Sequence, residues 1–292
     1  RNKKDKKRTG GIHRGGRMTL DTKTSQMGLS IWKSKVKVTL SDDNKGYHVH
    51  GDERIPEEVM LPRVTGILNI IEKQGLRTWA MNMALDYMKE NIGTDIPFHE
   101  LLENARLAHE EKRDIAADYG TEAHALLQQL CIDPDTAVPD KFIPVVSAWE
   151  EWLDNSGLTI LDTETSLYYH DTTSKDAPIS FAGTADLIAM DKDGTPVICD
   201  YKTGARLYPE SALQMAAYSL GLAYCGIGKF LDAGNMVNTK AFVIRLPKEE
   251  ETLPEIREVR NLDDQRQAFI NACKLRQWQS SRDKWVPKRK KA

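Results

Sequence analysis

At 292 residues, with 40% hydrophobic and 29% charged side chains, the chain can bury a substantial core, which excludes a solvated, unstructured polymer. No apolar run approaches the ~20 residues of a membrane span and none forms a signal-peptide core, so a cytoplasmic protein without a membrane partner is expected. The net charge of −2 conceals basic ends: residues 1–17 carry eight Lys/Arg against one acid, residues 282–292 six against one, and the stretch between has 27 basic and 41 acidic residues.

An acidic body is a poor glove for nucleic acid. Contact with a polyanion must then use local basic patches, metal ions or the tails. Residues 1–30 read as a basic, disordered tail, and the chain opens on Arg1, with Met18 as a candidate natural start. Four cysteines at 131, 199, 225 and 273 stand far apart without a C-x-x-C pair, which argues against structural zinc or a disulfide framework.

Residues 31–40 and 46–55 alternate as short strands. A helix follows, capped near Thr65, and apolar residues recur at helical spacing from Ile67 to Met88 with Gly75 as a break. A second helical region runs from Phe98 to Leu130 and contains Gly120 and His124, one turn apart. Asp133 to Pro139 reads as a loop and Ile143 to Asn155 as a helix whose Trp149 and Trp152 are packing residues. Thr159 to Tyr169 is β-branched and alternating, a strand with Glu164 inside it, and His170 to Pro178 is a polar loop.

The central hairpin carries the chemistry. Leu187–Met190 and Pro196–Cys199 flank Asp191-Lys-Asp-Gly194, a turn signal. With the hairpin centred near Asp193, Asp186 lies opposite Asp200, their Cβ atoms about 4.5–5.5 Å apart and able to share a cation. Asp200 and Lys202 are two apart and share a strand face. Two carboxylates this close do not both stay ionised without a cation between them, and hard oxygen donors suit magnesium or manganese. Such a site activates water against a phosphodiester, with Lys202 steering the nucleophile or stabilising developing charge.

Beyond Lys202, a loop to Pro209 leads to a helix from Glu210 to Tyr224, where Gln214 and Tyr218 share a face. Taken alone they read as core and cap. Turned to the site, the amide could hold Lys202 or a phosphate oxygen and the phenol could hydrogen-bond or stack on a base. Lys240 to Leu246 is the last clear strand and Asn261 to Gln279 a closing helix. No phosphate-binding glycine loop is present, so ATP-driven translocation would need another chain.

Gly183-Thr-Ala-Asp186, Asp200-Tyr-Lys202-Thr-Gly and Gln214-x-x-x-Tyr218 together resemble the core motifs of the RecB-like branch of the PD-(D/E)XK nuclease superfamily. The likeness spans about residues 46–280, with some fifteen diagnostic positions. It implies an α/β restriction-endonuclease-like core, a mixed central sheet flanked by helices, over residues 158–280, with strands and a helical subdomain at 31–157 and a basic tail at 281–292. It implies that His124, which in isolation reads as structural, is a metal ligand with Asp186, Asp200 and the backbone carbonyl of Tyr201. Lys202, Asp200, Asp186, Gln214, Tyr218 and, on the first core strand, Glu164 become the catalytic candidates.

The resemblance further implies a nuclease holding one or two Mg2+ or Mn2+ ions and acting on single-stranded or duplex DNA ends. The setting it suggests is phage or mobile-element replication, recombination or repair in a bacterial cytoplasm, with a helicase or recombination partner. A site-specific endonuclease and a dormant nucleic-acid-binding subunit are the alternatives. Related CRISPR-associated adaptation nucleases carry an iron–sulfur cluster on closely spaced cysteines; that spacing is absent here and no cluster is expected.

Overall fold

The computed structural model describes residues 33, 35–173, 178–225, 239–249 and 253–281. The two basic ends expected from the charge pattern lie outside the described residues, apart from Ser281. Three short strands, β1 (Lys37–Leu40), β2 (Gly46–His50) and β3 (Met60–Pro62), form an antiparallel sheet in that order. The second strand is shorter than its sequence suggests. Gly51 ends it with φ +83, in a position where a side chain would stand 2.2 Å from the Lys35 carbonyl.

Helix α1 (Val64–Leu68) starts from Arg63 with no side-chain cap, so Thr65 lies inside the helix rather than at its cap. The break expected at Gly75 falls earlier, at residues 69–73, and Gly75 is the second residue of α2 (Gln74–Asn91). Helix α3 (Phe98–Ile132) and, after a 3-10 turn, α4 (Ile143–Ser156) follow. Gly157, in the left-handed region at φ +65, closes α4 as a glycine C-cap does.

The main sheet has five strands in chain order: β4 (Thr159–Asp171), β5 (Ile179–Met190), β6 (Pro196–Lys202), β7 (Lys240–Arg245) and β8 (Glu255–Glu258). All pairings are antiparallel except β6 with β7, which run parallel and are joined through a connection containing α5 (Glu210–Tyr224). The chain then enters α6 (Leu262–Ser280). Strand β8 is not legible in the sequence, because Glu-Ile-Arg-Glu at the sheet edge leaves three of its four residues exposed.

Strand period two builds a core on each face of the sheet. Leu187, Ala189, Val197, Cys199 and Tyr201 pack with Leu127 and Leu130 of α3 and Trp149 and Trp152 of α4. Ile188 and Ile198 turn the other way, into a cluster with Met215 and Tyr218 of α5 and Phe269 of α6. Each side chain of this size, fully buried, contributes about 1.5–3 kcal/mol. The result is a mixed α/β sheet between helical layers, as the sequence predicts.

The small sheet is tied to this core. Tyr47 Oη lies 3.3 Å from Thr184 Oγ1, Arg63 bridges to Ala182, and Tyr168 donates to Asp52 at 2.7 Å. Its Tyr47 and Leu61 belong to the same buried cluster as Tyr218. The small sheet therefore covers the α5 face of the main sheet. Among the described residues no helix is long and apolar enough to cross a membrane.

Candidate active site

The β5–β6 ladder has the register expected of a hairpin centred on Asp193, from Met190↔Pro196 to Leu187↔Cys199. Pairing stops one step short of Asp186 and Asp200. There Asp186 Oδ2 takes the place of a ladder carbonyl and accepts the Tyr201 N–H at 2.6 Å, while Oδ1 stands 3.4 Å from His124 Nδ1. His124 reaches the same spot from α3, its ring edge-on to the Tyr201 ring with centroids 6.1 Å apart. Trp149 fixes that ring from behind by donating to Tyr201 Oη at 3.0 Å.

Glu164 arrives from β4. The pairs Thr163↔Leu187 and Thr165↔Ala185 bracket it, so it faces Asp186 across the ladder. Its backbone sits at φ +48, a left-handed conformation that costs a non-glycine residue about 1–2 kcal/mol. Donor atoms of His124, Glu164 and Asp186 all lie within 4.8 Å of one another. One imidazole nitrogen and two carboxylates form a donor set that could hold a divalent cation.

Charges in this cluster are mutually constrained. Burial, reinforced by the Asp186 charge, pushes the Glu164 carboxyl up to about 7. Burial disfavours the His124 imidazolium, but the Asp186 carboxylate beside it outweighs that and raises the group to about 9. A strained glutamate held opposite a carboxylate gives a sharp expectation. Glu164→Gly should stabilise the protein in EDTA by about 1 kcal/mol through relief of the left-handed strain, while reducing the rise in melting temperature that Mn2+ produces. Lower stability in EDTA would show that contacts, rather than the cation, hold Glu164 in place.

Asp200 stands outside the three-residue group. It is 2% exposed and is engaged from the other side. Its Oδ1 accepts from Gln214 Nε2 at 3.0 Å; its Oδ2 lies 2.6 Å from Lys202 Nζ as an ion pair, but with no donor aligned for a hydrogen bond. Burial drives the Asp200 carboxyl up to about 6 against the pull of Lys202. Burial also works against the Lys202 ammonium, but Asp200 and Asp186 more than compensate and its affinity for the proton is raised.

Gln214 is the hinge of this network. Its Oε1 accepts from Lys202 Nζ at 3.3 Å, and its Nε2 serves both Asp200 and Tyr218 Oη, the latter at 2.9 Å. Tyr218, one helical turn on, is 4% exposed, and its ring lies so close to Gly183 that a β-carbon there would be 2.7 Å from Cε1. This corrects one expectation. Tyr218 has no exposed ring face on which a base could stack, and its hydroxyl meets Gln214 Nε2.

The Tyr201 carbonyl, expected as a ligand, shares its residue's edge of β6 with the N–H that meets Asp186, since opposed residues exchange both groups across an antiparallel pair. Gly120 permits the close backbone approach expected of it. A β-carbon there would stand 3.3 Å from Thr203 Oγ1, so α3 rests closely on the loop after Lys202. Reasoning from sequence missed Tyr201 and Trp149 as the support of His124; the alternation of β6 was the available signal. Each cysteine is free, Cys131 partly buried and the other three buried, and none belongs to a donor cluster among the described residues.

A family model described as the PD-(D/E)XK nuclease superfamily matches residues 98–290. No curated protein matches the sequence. Fifteen chains of solved structures match. One of them, SSO0001, is 11% identical over 68% of this chain and 84% of its own, with a TM-score of 0.31, a likeness too distant to inform the site.

Proposed function

The chain belongs to the PD-(D/E)XK nuclease superfamily, and on that premise we propose that it is a Mg2+- or Mn2+-dependent deoxyribonuclease, an exonuclease of the RecB-like branch. The observation that carries this reading is a juxtaposition. The His124–Glu164–Asp186 donor group stands beside Asp200, which is itself paired to Lys202 at 2.6 Å.

In this reading His124, Glu164 and Asp186 hold a divalent cation, with Asp200 and the Tyr201 carbonyl completing the set or holding a second. Such a cation, when bound, neutralises phosphate charge and lowers the pKa of an attacking water. The chain's own groups do the rest. The Tyr201 N–H and the His124 ring fix both oxygens of Asp186, leaving it little freedom to turn away. Gln214 spans Lys202 and Asp200 and holds the ammonium at the strand end, its side chain 32% exposed, where it can meet a phosphate oxygen or orient water. Tyr218 Oη anchors Gln214 from below.

The exonuclease assignment rests on the motifs shared with the RecB-like branch. A setting in phage or mobile-element recombination, with a helicase partner, follows from the same likeness. The test is to incubate 5′- and 3′-labelled single-stranded and duplex DNA and a closed circle with the protein in Mg2+, Mn2+ or EDTA. Metal-dependent shortening from ends is expected, with the label pattern giving polarity. Nicking of the closed circle would favour an endonuclease, and intact DNA throughout would leave a binding subunit.

A further inference from the structure

Where β6 and β7 end, the chain carries a cation that the mechanism above does not use. Lys248 lies two residues beyond Leu246, whose N–H donates to the Lys202 carbonyl at 2.8 Å, so the chain leaves β7 level with the end of β6. From there the Lys248 ammonium reaches the face of the Tyr119 ring, 4.2 Å from its centroid. Tyr119 precedes Gly120, where a β-carbon would stand 3.3 Å from Oγ1 of Thr203, the residue after Lys202.

These contacts close a circuit, from Lys202 through Leu246 and Lys248 to Tyr119 and back through Thr203. Five residues of α3 separate Tyr119 from His124, an axial rise of about 7.5 Å. The ammonium therefore stands at the rim of the donor group.

Lys248 is exposed and has no carboxylate partner among the described residues, whereas Lys73, Lys141, Lys202 and Lys240 each have one. Glu122, one turn beyond Tyr119 on α3, is itself taken by Lys141. An aromatic face holds an ammonium in place without neutralising it. Partial burial there loosens the ammonium's hold on its proton, an effect that a bound anion would reverse.

The ring is fixed in turn. Tyr119 Oη donates to the Lys141 carbonyl at 3.1 Å, and the ring packs on Phe142 with centroids 4.9 Å apart. Residues 111–118 of α3 are all exposed, so the helix surface that leads to this ring is open. In a body with 27 basic and 41 acidic residues between its two ends, an uncompensated cation beside the site carries a large share of the local attraction for a polyanion.

We infer that Lys248, seated on Tyr119, binds a phosphate of the substrate strand about two nucleotides from the cleaved bond, at about 3.4 Å of rise per nucleotide. Lys248 is a positioning residue that holds the strand and takes no part in the bond cleavage. This inference rests on the nuclease reading above. Its test separates the two, because binding is measured without turnover.

Fluorescence anisotropy in EDTA, with single-stranded DNA and across salt concentrations, would compare the native protein with Lys248→Gln, Lys248→Arg and Lys192→Gln. Lys192 is the control: it is exposed and also lacks a carboxylate partner among the described residues, but it sits in the turn at the far end of the β5–β6 hairpin. Melting temperatures would confirm that each variant folds. Lys248→Gln should weaken binding about fivefold and lower the salt slope by about 0.7, the share of one phosphate contact on a single strand. Lys248→Arg should restore the slope and most of the affinity, since a guanidinium also rests on an aromatic face. Lys192→Gln should bind as the native protein does.

In cleavage assays Lys248→Gln should raise KM and leave kcat unchanged. Equal affinity and salt slope in native protein and Lys248→Gln would overturn the phosphate seat while leaving nuclease activity standing. Equal losses in Lys248→Gln and Lys192→Gln would overturn it too, by showing an effect of net charge alone. Absence of DNA binding and cleavage by the native protein would overturn both readings.

Discussion

Replacing Lys202 by alanine is expected to lower the rate of phosphodiester cleavage by about 10²–10³-fold, the usual cost of removing one group that stabilises charge in a transition state. The ammonium is well placed to do so. Gln214 Oε1 and Asp200 hold it at 3.3 and 2.6 Å while a third of its side chain stays open to the site. Its loss also strands Asp200, a carboxylate at 2% exposure that would keep only the Gln214 amide.

Removing one partner of a fully buried pair costs about 3–5 kcal/mol. The cost here should be smaller, because Lys202 is partly solvated and Asp200, already pushed up to about 6, can take a proton instead. Melting temperature should therefore fall modestly at pH 7. Asp200→Asn should be inactive too, since the amide keeps the shape without the charge. Paired with Lys202→Met it should be more stable than either single variant, and the cycle gives the coupling directly. Activity within tenfold of native in a folded Lys202→Ala preparation would remove Lys202 from the chemistry.

The metal-free protein should become less stable as pH rises from 5 to 9, with divalent cations reversing the loss. The sign follows from three groups whose affinity for the proton is raised by folding. Burial raises Asp200 to about 6 and Glu164 to about 7, so the stability they contribute is complete below their ordinary range near 4 and is lost as pH climbs through those values. His124 opposes its own burial through the Asp186 charge and is raised to about 9; its contribution is complete below about 6.5 and is lost between there and 9. All three act in one direction between pH 6 and 9.

Thermal unfolding in EDTA across this range, compared with His124→Ala and Glu164→Gln, is the check. Each variant should flatten part of the slope. Because a cation displaces these protons, its affinity should rise with pH and its binding should release protons, which calorimetry in buffers of different ionisation enthalpy would read. Stability that does not change from pH 6 to 9 would mean that these groups do not share one site.

Much of the site is legible from local rules. Two-residue alternation puts Asp200 and Lys202 on one face of β6, helical spacing puts Gln214 and Tyr218 on one face of α5, and the turn sequence after Met190 fixes the hairpin register that brings Asp186 near Asp200. Elements without a periodic signal escape. β3 is three residues including a proline, and β8 is a mostly exposed edge.

The amino-acid order by itself determined the mixed α/β architecture, the family motifs and the shortlist of chemical groups, because each depends on spacing within one element or across one short turn. Tertiary structure alone decided how those groups divide. The ladder opens beyond Cys199, so Asp186 turns to His124 and the Tyr201 N–H while Asp200 turns to Lys202 and Gln214. It also decided that Glu164, whose strand position left its direction open, faces Asp186 in a left-handed backbone conformation. No sequence period reports such a choice, since it follows from packing between α3, β4, β5 and β6, segments up to about eighty residues apart, where long-range contacts outweigh local preference.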